Sequence, residues 1–137
     1  MSRAMFEYTK TVLKKVSFDT NLFCKEVQKA LLRLLPYEIE ELKLFIQVNI
    51  GNEEQKSGVS KNHLTDLYKY CKELNLDVIG LMCIPPANCN PEQYFIKLRE
   101  LNKLHGLKEL SMGMSSDYKV AIKCGSTFVR IGSSIFN

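Results

Sequence analysis

Apolar and polar positions along this chain follow two periods. Short, nearly continuous apolar runs read as buried strands: "LKLFIQVNI" (42–50), "DVIGLMCI" (77–84), "KELSMGM" (108–114) and "TFVRIG" (127–132). Between them apolar residues recur at helical spacing. Leu64, Leu67, Tyr68, Cys71 and Leu74 form one such face, and Tyr94, Phe95, Leu98, Leu101 and Leu104 another. Upstream, the spacing of Leu22, Phe23, Val27, Ala30, Leu31, Leu34 and Leu35 predicts a helix that Asp19 caps and Pro36 ends. "MFEYTKTV" (5–12) reads as a weak first strand. Ser60 suits the cap of the helix after "LKLFIQVNI", and Asn90-Pro91 suits a helix start with proline at the first helical position. Ser115 or Ser116 caps a short helix that ends near Cys124, with Gly125 as its left-handed terminator.

The resulting order is β-α-β-α-β-α-β-α-β, five strands in one domain spanning residues 1–137. Such alternation predicts an α/β protein with a parallel sheet and right-handed crossovers. Two architectures satisfy it: an open doubly wound sheet, or part of a (β/α)8 barrel. A whole barrel takes about 250 residues, so five strands here are too few to close one.

Composition narrows the function. Nineteen Lys and Arg against fifteen Asp and Glu leave a net charge of +4, but the basic residues are scattered and only Lys14 and Lys15 adjoin. A nucleic-acid surface needs a clustered basic face with stacking aromatics, so no nucleic-acid partner is expected. The longest apolar run, "ALLRLL", is far short of the ~20 residues of a membrane span, and "MSRAMFEYTK" has no apolar signal core. The five cysteines include no CxxC pair, and neither His63 nor His105 lies near one in a zinc-like spacing. A cytoplasmic protein with reduced thiols, no bound metal and no membrane contact is the expectation.

In α/β proteins ligands gather at the carboxyl ends of the strands. Those ends read "VNIGN", "CIPPAN", "GMSSD" and "RIGSS". The last two suit a phosphate: glycine lets the backbone approach, and serine hydroxyls and free N–H groups donate to its oxygens. Glycine and serine are also simply turn formers, and the charge of Asp117 opposes an anion unless it points away. Arg130 lies inside an apolar strand, where an unpaired charge is costly. It therefore has an internal salt bridge or faces a ligand atom. Lys56, in "EEQKSG", reads as a solvated loop lysine. No G-x-S-x-G nucleophile occurs, and neither histidine has a partner for base catalysis.

Taken together, "FIQVNIGNEEQKSG", "VIGLMCIPP" and "LSMGMSSDYKVAIKCGSTFVRIGSSIF" resemble the pyridoxal phosphate homeostasis proteins, the YggS/PROSC-like family, from about Leu42 to Phe136. That family in turn resembles the N-terminal barrel domain of alanine racemase. The resemblance implies a (β/α)8 TIM barrel that holds pyridoxal 5'-phosphate (PLP) for vitamin B6 storage and delivery, without catalytic turnover. It implies that Ser115, the backbone at Met114, Gly132 and Ser133 hold the phosphate. Arg130 would face the pyridine nitrogen, and Asn49 and Met82 would line the pocket. Lys56 matches the lysine of the family's K-S-G motif. The family anchors PLP as a Schiff base on a lysine of its first barrel strand, in an "SKT"-like motif, and no such motif occurs here. The five strands would then be barrel strands four to eight: an incomplete barrel, truncated before its covalent anchor. A complementary N-terminal fragment, or self-association through exposed strand edges, would cover the gap. The alternatives are a remnant or interaction protein without a ligand and a racemase-like enzyme, which the absent lysine disfavours.

Overall fold

A computed structural model describes residues 2–15, 20–54 and 56–133. Its elements are α1 (Ser2–Lys15), α2 (Thr20–Arg33), α3 (Pro36–Glu41), β1 (Lys43–Gln47), α4 (Lys61–Glu73), β2 (Asp77–Met82), α5 (Glu92–Leu104), β3 (Glu109–Met114), α6 (Tyr118–Lys123) and β4 (Phe128–Arg130). The four strands form one parallel sheet in the order β1-β2-β3-β4. A doubly wound sheet reverses its strand order part-way, whereas a barrel wall adds each strand beside the last. The order here is that of a barrel wall.

The fifth strand expected at 5–12 is instead part of α1. Phe6, Thr9 and Leu13 are buried at spacings of three and four, so the segment buries a helical face. Within eight residues that face is hard to tell from a strand, and Leu13, which completes it, lies just outside the run. The second helix forms as expected; Asp19 lies outside the described residues. It ends at Arg33, and Pro36 opens α3 at the first helical position, where its missing N–H costs nothing. Ser60 stands at the N-cap of α4, but its Oγ bonds His63 Nδ1 at 2.7 Å and not the backbone. Pro91 is itself the N-cap of α5, with Asn90 Oδ1 accepting the Glu92 N–H at 3.1 Å. At α6 the N-cap is Asp117, not Ser115 or Ser116. Gly125, φ +101°, follows the helix as predicted.

Alternation along the strands sorts the two faces of the sheet. Ile46, Val48, Leu81, Cys83, Leu110 and Met112 are buried and turn toward α4, α5 and α6, which pack on β2 and β3. Asn102 of α5 is also buried there. Its Oδ1 accepts the Leu81 N–H and its Nδ2 donates to Leu107 O, both at 3.0 Å, so the helix satisfies a strand donor. The other face presents Phe45, Gln47, Met82, Ser111, Phe128 and Arg130, none of which is fully buried except Ser111.

That second face is concave. Phe45 on β1 and Phe128 on β4 stand on opposite edges of the sheet, which a flat sheet would hold about 14 Å apart. Their ring centroids are 5.2 Å apart, edge to face. The sheet must therefore curl, and Gly80 on β2 makes room for it. A Cβ there would collide with Glu109 O and lie 3.0 Å from the Phe45 ring. A cavity of about 540 Å³ opens on this side and around the β1 edge, bounded also by Leu13 of α1 and Phe23 of α2.

Candidate functional site

The carboxyl ends of β3 and β4 are brought together by their pairing. Ser126 and Thr127 fasten the start of β4 to β3: Ser126 Oγ donates to Met112 O at 2.6 Å, and Thr127 Oγ1 accepts the Leu110 N–H at 2.8 Å. The partnership continues to the strand ends, where Met114 lies beside Arg130 in register. Beyond them, the Gly132 N–H reaches Ser115 Oγ at 3.3 Å, a long bond that joins the two loops. Ser133, exposed, follows directly. Met114, Ser115, Gly132 and Ser133 thus form one cluster.

The local backbone that makes this cluster depends on Gly113. Its φ of +107° is open to glycine, and a Cβ would stand 2.8 Å from Ala121 Cβ, so α6 packs directly on the strand end. Asp117 sits at the α6 cap. Its Oδ1 accepts the Met114 N–H at 2.7 Å, and its own N–H donates to Met114 O at 3.2 Å. The Asp117 carboxylate is therefore turned back onto β3, and the Met114 N–H is already engaged.

Arg130 occupies the concave face beneath these loops. Its Nη2 donates to Cys83 O at 2.9 Å, while Nε and Nη1 are buried without a hydrogen-bond partner among the described residues. Burial lowers its pKa; the neighbouring Cys83 and Asp117 pull it back up. The guanidinium is half-buried and held by a carbonyl rather than by a salt bridge, so two donors are left over. Met82 and Ser111 line the same cavity as Arg130. Ser111 was not singled out in the sequence. Its signal is a hydroxyl at an inward position of the apolar run "LSMGM".

Asn49 stands apart from this group. Its amide closes its own loop, with Nδ2 donating to Glu53 O at 2.6 Å and Oδ1 accepting the Glu53 N–H at 3.1 Å. Val59 bridges the same segment, donating to Gln47 O and accepting from the Asn49 N–H, which covers the outer edge of β1 at its carboxyl end. Lys56 is also tied into the loop cluster: its Nζ donates to Pro85 O at 3.2 Å and lies 3.7 Å from Glu53 Oε1. Among the described residues no group of three metal-ligating side chains occurs, and no helix is long and apolar enough to cross a membrane.

In a one-directional parallel α/β sheet ligands gather at the loops beyond the carboxyl ends of the strands, where these Gly/Ser segments lie. The comparisons with known proteins give the chain's relatives. No protein-family model matches the chain. A pyridoxal phosphate homeostasis protein of Aquifex aeolicus is 45% identical over 130 residues, covering 88% of this chain and 55% of that protein. The pyridoxal phosphate homeostasis protein of Pasteurella multocida is 36% identical over 141 residues, 93% of this chain and 60% of that protein. The chain thus spans somewhat more than half the length of these relatives. Among solved structures, an unknown protein from Bifidobacterium adolescentis matches with a TM-score of 0.74 at 30% identity, over 88% of this chain and 51% of that one. PipY of Synechococcus elongatus, crystallised with PLP bound, shares the fold with a TM-score of 0.69 at 24% identity, over 94% of this chain and 66% of that one. The resemblance carried by the motifs is the one found: this chain is similar to the pyridoxal phosphate homeostasis proteins, which are named for homeostasis and not for catalysis.

Proposed function

We propose that residues 1–137 form a single PLP-binding domain of the pyridoxal phosphate homeostasis kind, serving vitamin B6 storage and delivery in the cytoplasm and turning over no substrate. The observation that carries this reading is the pair of buried, unpartnered Arg130 donors beneath the joined Ser115–Gly132 loops. A buried donor without an acceptor costs about 1–3 kcal/mol, which a ligand acceptor at that point would recover.

In this reading Ser115, Gly132 and Ser133 hold the phosphate, with the Met114 backbone alongside. Because Asp117 already takes the Met114 N–H, the hydroxyls and the N–H groups after β4 carry most of the recognition. Arg130 donates to the ring nitrogen and, being a permanent cation, keeps that nitrogen unprotonated. Met82 and Ser111 bound the ring's side of the cavity. Asn49 supports the pocket by holding its loop. PLP, when bound, supplies an electrophilic aldehyde and an electron-accepting ring. This chain carries no lysine in an "SKT"-like motif to anchor it, so the binding is non-covalent and weak until further barrel strands, joined or separate, complete the wall.

Thermal melting tests this directly. PLP, and more weakly inorganic phosphate, should raise the melting temperature of the chain. The Ser115→Ala plus Ser133→Ala variant should lose both shifts, and PLP should wash out fully after borohydride treatment. If the unmutated chain shows no shift with either compound, the loops are turns only, and a remnant or interaction protein without a ligand is the better account.

A further inference from the structure

Asp117 stands at the N-cap of α6, where an aspartate ordinarily accepts an N–H of the helix's first turn. Its side chain makes no such bond. It turns back to the strand end instead: Oδ1 accepts the Met114 N–H at 2.7 Å, and the Asp117 N–H donates to Met114 O at 3.2 Å. The carboxylate therefore belongs to the loop between β3 and α6, two residues after Ser115, whose Oγ accepts the Gly132 N–H at 3.3 Å. For an anion this has two effects. One backbone donor of the cradle is withheld, and a negative charge lies close to the donors that remain. The charge also reaches the floor of the pocket. Burial lowers the Arg130 pKa, and Cys83 and then Asp117 pull it back up, so Asp117 is the carboxylate that this guanidinium feels. Its field offsets part of the positive potential that Arg130 would offer a phosphate. A second cation near the strand ends, Lys56, is offset as well, with Nζ 3.7 Å from Glu53 Oε1 and donating to Pro85 O at 3.2 Å.

We propose, building on the phosphate reading of the Ser115–Gly132 loops, that Asp117 limits how tightly those loops hold a phosphate dianion and so keeps a bound phosphate ester exchangeable. The donors left to the ligand are neutral hydroxyls and N–H groups, each holding an oxygen by a hydrogen bond of modest net strength. Asp117 subtracts from that hold by like-charge repulsion. In a half-buried loop a screened charge pair of this kind changes affinity by about twofold to fivefold. The release side of a carrier thus falls to one carboxylate, while the serine loops supply the capture. A turn-forming role for Asp117 would need only the Oδ1 acceptor and not the charge. Asparagine keeps an oxygen for the Met114 N–H and removes the charge, so it separates the two roles.

Equilibrium dialysis of the full chain tests this with two probes. One is inorganic phosphate. The other is pyridoxamine 5'-phosphate, which keeps the ring and the phosphate but has no aldehyde to react with surface lysines. Asp117→Asn should bind both probes about twofold to fivefold more tightly than the unmutated chain. That gain should shrink between about 0.01 M and about 1 M salt, over which the Debye length falls from about 30 Å to about 3 Å. Asp66→Asn, which removes an exposed carboxylate on α4, should change neither affinity. If the asparagine variant folds poorly, Asp117→Ser removes the same charge with a side chain that suits the turn. Equal or weaker binding by a folded charge-free variant, or a gain that salt leaves untouched, would overturn the role of Asp117 and leave the cradle standing. Binding of neither probe, by the unmutated chain and by both Asp117 variants, would overturn the cradle reading and this proposal with it.

Discussion

Arg130 shows how far a single residue type carries an argument. An arginine in an apolar strand leaves two readings, an internal salt bridge or a ligand contact. The structure gives it one carbonyl, Cys83 O, and leaves two donors buried without acceptors. Arg130→Met removes the unpartnered donors along with the one satisfied bond. Its effect on the free chain is expected to stay within about 1 kcal/mol, since the two changes oppose each other. The same variant should lose the PLP-induced stabilisation. Urea denaturation with and without PLP separates the two effects. A second residue-scale expectation concerns alkali. Burial pushes the Cys83 thiol up to about 12 and the Cys71 thiol to about 11, from an ordinary value of 9.0. Below pH 9 both states keep the proton and the stability is fully present. Above it the unfolded thiols ionise first, so stability falls as pH rises toward the folded values. A melting series from pH 8 upward should show this decline, and Cys83→Ala should make it shallower.

At the scale of elements, curvature is the property that builds the site. The Phe45–Phe128 contact, at 5.2 Å between sheet edges, requires the curl, and Gly80 allows it. Gly80→Ala places a methyl group against Glu109 O in the neighbouring strand. It should destabilise the chain by about 3 kcal/mol, read from the denaturation midpoint, with weakened β2–β3 pairing visible in amide exchange. The strands, α2, α4, α5 and α6 were all legible in the chain, because each buries one face with its own period. The segment 5–12 was not. Its Met, Phe, Tyr and Val positions satisfy a strand and a helix about equally over eight residues, and only the packing against α2 decides. The α6 cap was read one or two residues early for a related reason. Ser115, Ser116 and Asp117 are all good caps, and the choice depends on which one the strand end leaves at the right distance.

For the whole molecule, the described sheet has two edges, at β1 and β4, and a concave face lined by Phe45, Met82 and Phe128. Phe128 is 47% and Val129 36% exposed, which is high for large apolar residues at a strand end. Val59 covers the carboxyl end of the β1 edge, so it is the β4 edge, with these apolar flanks, that invites pairing. Sedimentation of the isolated chain should therefore show concentration-dependent self-association, and Val129→Lys should reduce it. A matching set of barrel strands supplied in trans should compete with that association and raise PLP retention together. Retention that stays unchanged while association disappears would separate the two roles.

Much of the candidate site was already written in local chemistry. Glycine and serine after a strand and an arginine in an apolar run depend on neighbours within a few residues, so these features could be read from the order of amino acids alone. What only the tertiary structure decided is which loops meet and what Arg130 touches. Ser115 and Gly132 come together because β3 and β4 pair, Cys83 O lies two strands away from Arg130, and the Asn49 amide turns inward to its own loop. These are relations between segments distant along the chain, set by register and sheet curvature, and neither property resides in any one stretch of residues.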